Sequence, residues 1–267
     1  MLRQKFLSKL GSHVFGLAAV ALGLVGLVWG DFANVWQPVP ATVPHRVLFA
    51  YLYAALLLLA GAALQFRSAA RIGAIALAVL YCLPAALWAR RVFGFPGMIG
   101  TWGGLAEELA LIAAAVAAFV FLTERPSGAA TLASRIACVV FGLCFITIGV
   151  EHFLALKETA AFVPHWIPPS GRFWAIFTGS AHILAGLAIV SGVLALLAAR
   201  LLTAMIFVFG VLVWLPAVYA QPHVHMMWSA NAINFALLAA AWAMADSIAA
   251  HREQMLAAEV PMTPLGA

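Results

Sequence analysis

Charged residues and cysteines are scarce in this sequence of 267 residues. Only 9% of the residues are Asp, Glu, Lys or Arg, whereas about 25% is usual for a soluble domain. The three cysteines, Cys82, Cys138 and Cys144, form no C-x-x-C pair and no metal-ligand spacing, which argues against a thiol-redox enzyme. The sequence also lacks a nucleophile elbow and a phosphate-binding loop. These absences exclude the common soluble enzyme classes.

Apolar residues fill most of the chain. They make up 66% of it, and the mean hydropathy is +1.06. Runs of roughly 18 or more mostly apolar residues recur, which is the length needed to cross a bilayer. Backbone polar groups must be satisfied internally in lipid, so the spans are helices. We predict an all-α integral membrane protein with eight transmembrane helices, near 13–31, 45–65, 70–90, 102–123, 132–152, 172–193, 199–220 and 227–247.

A four-helix pattern occurs twice along the chain. The matching segments are Leu59–Gly61 with Leu184–Gly186, Leu83–Ala85 with Leu215–Ala217, and Trp102 with Trp228. Four spans per copy return the chain to its starting side, so the sequence predicts two parallel repeats. The first would occupy residues 1–128 and the second 129–250, with a flexible tail at 251–267.

Lysine and arginine are unevenly divided between the two sides of this topology. Nine fall on the side of the termini and five on the other, and the positive-inside rule then places both termini in the cytoplasm. The net charge of +5 is explained by these flanking anchors, and we expect no nucleic-acid partner. The opposite side carries the long proline-rich connections and most of the tryptophans, which favours a site near the extracytoplasmic face.

The second copy carries polar residues where the first is mostly apolar. His182 is expected near the middle of the membrane, where the first copy has Leu57. An ionisable residue inside a span marks a functional site by default, although a neighbouring helix can also satisfy a single buried histidine. Glu151 and His152 close the fifth helix, where the first copy has Gly30-Asp31. We expect catalytic roles for His182, His152 and Glu151.

The eighth helix carries a second polar group, the stripe Trp228, Asn231 and Asn234, which lie on one slowly drifting face. The first copy has Glu108 at the end of the corresponding stripe. Asparagines can join helices without any ligand, so both a structural and a ligand-binding role are open. The predicted ligand-binding residues are Asn231, Asn234, Trp228, Asp31 and Glu108.

Two chemistries suit the histidines. His223 and His225 precede the eighth helix and can converge with His152 and His182, which predicts a metal or haem site at His223 and His225. Histidine and carboxylate beside a hydrophobic cavity also suit proton-coupled quinone chemistry. The cofactor is left open, with quinone as a candidate ahead of a metal or haem.

Three segments resemble the DoxX-like family of bacterial four-helix membrane proteins: Gly149–Phe153, Phe162–Pro168 and Thr178–Gly186. The resemblance covers the second copy, and the first looks like a degenerate version. It implies a location in the bacterial inner membrane, and a named member of the family is linked to a thiosulfate:quinone oxidoreductase. Other relatives are membrane assembly factors. The acidic residue usual in the family's second helix is replaced by His182.

Three functions therefore stay open. The first is a quinone-linked redox protein, or a subunit of one, with a histidine-lined site near the extracytoplasmic face. The second is a non-enzymatic accessory or assembly protein that binds other membrane-protein subunits. The third is a carrier for a small molecule, which is favoured least because no paired helix breaks occur at the membrane centre.

Overall fold

The computed structural model of the protein describes residues 10–124 and 126–259. This part of the chain folds into helices and connecting turns, without strands. The helices are α1 (Leu10–Trp29), α2 (Arg46–Ala63), α3 (Ala70–Gly94), α4 (Ile99–Phe121), α5 (Gly128–Leu154), the short α6 (Leu156–Phe162), α7 (Gly171–Ser191), α8 (Ala195–Ala220) and α9 (His225–Glu259).

Within the described residues, eight helices are long and apolar enough to cross a membrane. The predicted all-α fold with eight spans is confirmed, and α6 lies between two of them. The predicted end of the last span at 247 is wrong, because α9 continues to Glu259. Its last two turns consist of good helix formers without glycine or proline. The predicted tail is therefore helical over 251–259, and residues 260–267 lie outside the described part.

The spanning helices form a closed ring. Each packs against the next in the chain, from α1 through α5, α7 and α8 to α9, and α9 packs against α1. The helices α4 and α9 also contact each other, and they are the two most buried spans. Each half of the chain is therefore completed by the other half, since α4 packs on α5 and α9 packs on α1.

The same helix crossing occurs in both halves. A Cβ atom added at Gly61 would overlap the Gly16 carbonyl oxygen, so α1 and α2 touch through their backbones. A Cβ at Gly186 would overlap the Gly142 carbonyl oxygen in the same way, which joins α5 to α7. The first-helix glycines are 126 residues apart, from 16 to 142, and the second-helix glycines are 125 apart. This recurrence supports the proposed duplication.

These crossings change one expected correspondence between the copies. In the register of Gly16 and Gly142, Glu151 lies opposite Val25, whereas the sequence comparison paired Glu151-His152 with Gly30-Asp31. Gly30 and Asp31 follow the end of α1, but Glu151 and His152 lie inside α5. The pairing was wrong because it aligned polar residues near helix ends rather than the backbone contacts that fix the helix register.

The two helix-interior prolines are accommodated differently. Pro84 leaves the Leu80 carbonyl without its helical donor, and the Tyr53 hydroxyl donates to that oxygen at 3.1 Å. Before Pro216, α8 widens into a π-helical turn at Gly210–Trp214. The Asn234 amide Nδ2 enters this region and donates to the Ile206 carbonyl at 3.2 Å. The carbonyl that Asn234 contacts lies ten residues before Pro216, so it is not the one that this proline leaves without a donor.

Candidate functional site

Most of the predicted site residues lie at one end of the bundle. There α1, α3, α5 and α8 end, and α2, α4, α7 and α9 begin. The α1–α2 connection covers part of this end, because the Trp36 carbonyl accepts a hydrogen bond from Trp88 Nε1 at 3.1 Å. This end faces away from the start of α1 and the end of α9.

His152 and His182 meet between α5 and α7. Their ring centroids are 4.9 Å apart in an edge-on arrangement. A Cβ atom at Gly179 would lie 2.7 Å from the His152 Cβ, so the absence of a side chain there lets the helices approach. Phe145 of α5 and Phe209 of α8 also contact the His182 ring, with centroids 5.6 and 6.2 Å away. The structure thus brings together two of the three predicted catalytic residues.

The hydrogen bonds of the two imidazoles differ. His152 Nδ1 donates to the Ile148 carbonyl at 2.8 Å, which leaves the lone pair of a neutral ring on Nε2. His182 is 3% exposed, and its buried Nδ1 has no hydrogen-bond partner among the described residues. A buried polar atom without a partner is costly and calls for an explanation. The His182 ring can therefore form a hydrogen bond with a donor group that enters the site.

Glu151 faces α4 instead of the histidines. A Cβ atom at Gly103 of α4 would overlap the Glu151 carboxylate, which therefore lies directly on that helix. Glu107, one turn further along α4, is close enough to interact electrostatically with Glu151. Trp36 of the α1–α2 connection also lies near Glu107. Two carboxylates are thus near each other at the α4–α5 interface.

Glu108 lies deeper in the first half. It is 2% exposed and interacts electrostatically with Tyr53 and Tyr81 on α2 and α3. Glu108 Oε2 and the Tyr81 hydroxyl are both buried without a hydrogen-bond partner in the described part of the chain. The predicted ligand-binding residue Glu108 is therefore part of an internal polar cluster, and it does not line the cavity between α1, α8 and α9 that is described next.

A cavity of about 700 Å³ lies between α1, α8 and α9. Its walls are mostly apolar, and they include three indole rings and two amides: Trp29, Trp228, Trp242, Asn231 and Asn234. Three predicted ligand-binding residues, Asn231, Asn234 and Trp228, thus share one cavity. His152, His182 and Glu151 are not part of its lining. We call this cavity the indole groove.

Trp228 has a second role at the rim of the indole groove. Its Nε1 donates to the Pro222 carbonyl at 2.8 Å, and Trp102 donates to Pro96 in the first half at 3.0 Å. Both bonds connect a helix start to a carbonyl six residues earlier. The tryptophan positions detected as a repeat are therefore explained first by loop closure, and the Trp228 ring faces the groove from that anchored position.

Asp31 and His225 lie near the mouth of the indole groove. Asp31 forms an ion pair with Arg46 and accepts a hydrogen bond from the Phe32 backbone N–H at 2.7 Å, so its carboxylate anchors the α1–α2 connection. The His225 ring stacks on Trp29, with centroids 4.9 Å apart. His225 Nε2 is buried and has no hydrogen-bond partner in residues 10–124 and 126–259.

The predicted convergence of histidines into a metal site is not observed. No group of three His, Cys, Asp or Glu side chains in the described residues is placed to hold a metal ion. His152 and His182 pair between α5 and α7, whereas His225 is on α9 against Trp29 of α1. The two halves pack against each other, so helix ends at the same end of the bundle contact different neighbouring helices.

Sequence comparison of the copies missed several residues of this end. Trp29 and Trp242 line the indole groove, but neither was among the predicted site residues. Glu107, next to Glu108 in the sequence, was not among them either. Two adjacent acidic residues inside an apolar span were the available signal, because each is costly in lipid.

One known family model matches part of the second half of the chain. The DoxX family model matches residues 130–215, which are 86 of the 267 residues and include α7 with most of α5 and α8. No curated protein and no solved structure matches the chain. The matched segment contains the His152–His182 pair and one wall of the indole groove. Residues 130–215 are therefore similar to the DoxX family, and they lie among the eight candidate spanning helices of the described chain.

Proposed function

We propose that the protein binds a quinone in the indole groove and acts as a quinone-linked redox membrane protein or as a subunit of one. The observation that carries this proposal is the composition of the groove. It is large enough for an aromatic headgroup, apolar over most of its wall, and supplied with three indoles and two amides. A mostly apolar pocket with a few placed polar groups is the usual form of a small-molecule site.

The groove residues fit a quinone in three ways. The Asn231 amide can donate a hydrogen bond to a quinone carbonyl, while Asn234 Nδ2 is already used on Ile206. The indole faces can stack on the ring. Rim residues such as Val28 and Phe207 are 79% and 58% exposed, so the groove opens sideways toward lipid and can admit an isoprenoid tail.

A bound quinone would supply the capacity to accept two electrons and two protons, and the electrons would come from a partner subunit. Among the histidines, His225 contacts the groove wall through Trp29. We assign it the role of proton exchange at the groove mouth. His182 of α7 contacts Phe209 of α8, and with His152 and Glu151 it would exchange protons with the interior of the bundle.

A membrane assembly factor is the second candidate function. Asn234 supports it, because its amide joins α9 to α8 as an ordinary interhelical hydrogen bond would. In that case a partner's side chain would fill the groove and no quinone would bind. The two functions differ in what copurifies with the protein.

Filling the groove tests the proposal. Val25 lines it from α1, and Val25→Phe should remove space for a ligand. We expect the wild type to copurify with quinone detectable by mass spectrometry after gentle extraction. A short-chain benzoquinone should quench its tryptophan fluorescence saturably, and Val25→Phe should weaken this binding about tenfold or more.

The matched control is Val79→Phe, which adds the same group at a 65% exposed position of α3. It should bind like the wild type. Asn231→Leu should give intermediate affinity, since it removes one polar contact and keeps the apolar wall. Equal quenching in all four proteins, with no copurified quinone, would refute the proposal, and a stoichiometric protein partner would then favour the assembly function.

A further inference from the structure

A second cavity, of about 530 Å³, opens at the opposite end of the bundle. It lies where α1 and α3 begin and where α2 and α4 end. Its polar lining consists of Ser12, His13, Arg67, Arg71, Thr123 and Glu124. His13 and Gln65 close one edge, because Gln65 Nε2 donates to the His13 carbonyl at 3.1 Å. We call this cavity the arginine pocket.

Positive charge in the arginine pocket is not balanced. Arg71 lies in the first turn of α3, and Arg67 lies just before that helix. The amino end of a helix carries partial positive charge, so a basic residue there is unfavourable and an anion is favourable. The α3 start has no acidic residue in its first turn and no side-chain cap from Ala69. Neither arginine forms an ion pair with any described residue.

A buried donor faces the same pocket. Ser12 is 2% exposed and lines the cavity, and its Oγ has no hydrogen-bond partner within the described part of the chain. Glu124 is the one carboxylate in the lining, against two guanidinium groups. The nine residues before α1 include Arg3, Lys5 and Lys9 and no acidic residue, so their charges do not supply the missing anion.

We propose that the arginine pocket binds a phosphate group. Two guanidiniums, one hydroxyl and the uncapped amino end of α3 form a donor set that suits a tetrahedral oxyanion. Basic pockets between membrane helices bind anionic headgroups, so the phosphate can belong to a phospholipid, and a free phosphate has the same chemistry. This site is independent of the indole groove.

The test uses the full chain, delipidated and returned to nanodiscs of phosphatidylcholine alone or with added phosphatidylglycerol. A parallel sample in neutral detergent receives inorganic phosphate. Binding to the folded state raises the unfolding temperature. A rise with phosphatidylglycerol alone assigns the site to a lipid headgroup, and a rise with inorganic phosphate assigns it to the free anion. No rise in either arm would overturn the proposal.

Charge variants separate a built site from general attraction to an anionic surface. Arg67→Gln with Arg71→Gln should abolish the rise, because each lost guanidinium contact weakens binding about tenfold. Arg90→Gln with Arg91→Gln removes the same charge from exposed positions at the other end of α3 and should leave the rise unchanged. Equal losses in the two double variants would contradict a specific site.

Ser12→Ala provides the finer measurement. Its hydroxyl has no partner in the described structure, so removing it should not lower the unfolding temperature without ligand. The anion-dependent rise should become smaller. If Ser12→Ala lowered stability without ligand and left that rise intact, Ser12 would be a packing residue and the pocket would lack its buried donor.

Discussion

His182 and Leu57 lie four residues before the glycines of the matching helix crossings, Gly186 and Gly61. Both are buried, at 3% and 1% exposure. A leucine in this place packs without unsatisfied atoms, whereas the imidazole leaves Nδ1 without a partner among the described residues. Stability alone therefore favours leucine at 182, and the histidine is consistent with the proton exchange that we propose for it.

His182→Leu should raise the free energy of unfolding. The gain is about 1–3 kcal/mol, the usual cost of a buried unsatisfied polar group, and denaturation followed by tryptophan fluorescence would measure it. His152→Leu is the control, because it removes the bond from Nδ1 to the Ile148 carbonyl and should destabilise. Destabilisation by both variants would indicate that His182 is held by interactions that the fold requires.

The sequence indicated which residues belong to the site more readily than which residues they contact. Polar groups are costly in lipid, and this singled out His182, Glu151 and Asn231 from their positions in the predicted spans. Glu151 and His152 are consecutive, and helical geometry turns adjacent side chains about 100° apart, so one faces α4 and the other α7. The sequence does not show how each helix is rotated about its axis, and this is why the expected convergence of the histidines is not observed.

Helix pairs in this molecule are held at close range by glycine. At the crossing of Gly142 with Gly186, and at that of Gly16 with Gly61, an added methyl group would overlap a backbone carbonyl. Small residues are the common means of helix association in membranes, where no hydrophobic force draws helices together. The α5–α7 crossing also sets the distance between His152 and His182.

Gly186→Ala should destabilise the protein by about 1–3 kcal/mol, because α5 and α7 must separate to admit the methyl group. Gly61→Ala should have a similar effect in the first half. Gly94→Ala serves as the matched control, since a Cβ atom there meets nothing within 4 Å. Thermal unfolding in detergent measures all three. A neutral Gly186→Ala would show that the helices adjust easily.

Spanning elements were predicted well because the bilayer sets their length. All eight were located from hydropathy, and most predicted ends lie within a few residues of those observed. The exceptions have local causes. The last helix continues beyond the predicted span on helix-forming residues, and α8 contains a π-helical turn at Gly210–Trp214 that hydropathy does not reveal.

At the scale of the molecule, the ring explains why the two halves depend on each other. The buried α9 packs mainly against α1, α4 and α8, and α1 and α4 belong to the first half. The contact of α1 with α9 includes a hydrogen bond from the Gly11 backbone N–H to Asp246 Oδ2 at 2.8 Å. A small polar contact, 3.4 Å between the hydroxyls of Ser134 and Ser247, joins α5 to α9.

Dividing the chain in the α4–α5 connection tests this dependence. Residues 1–126 and 127–267, expressed together, should copurify in equal amounts, because each covers the buried faces of the other. Either half expressed alone should lack a stable monomeric form in size-exclusion chromatography. A monodisperse, thermally stable monomer of 127–267 would show that the second half of the chain folds without the first. The two halves would then associate only weakly.

The indole groove takes one wall from α1 and the others from α8 and α9. During biosynthesis α1 leaves the ribosome before any other spanning helix described in this chain, and α9 leaves last. The groove therefore comes into existence only when α9 has been inserted and has docked on α1. A chain stalled before α9 would therefore leave the groove-lining face of α1 uncovered and would have no groove.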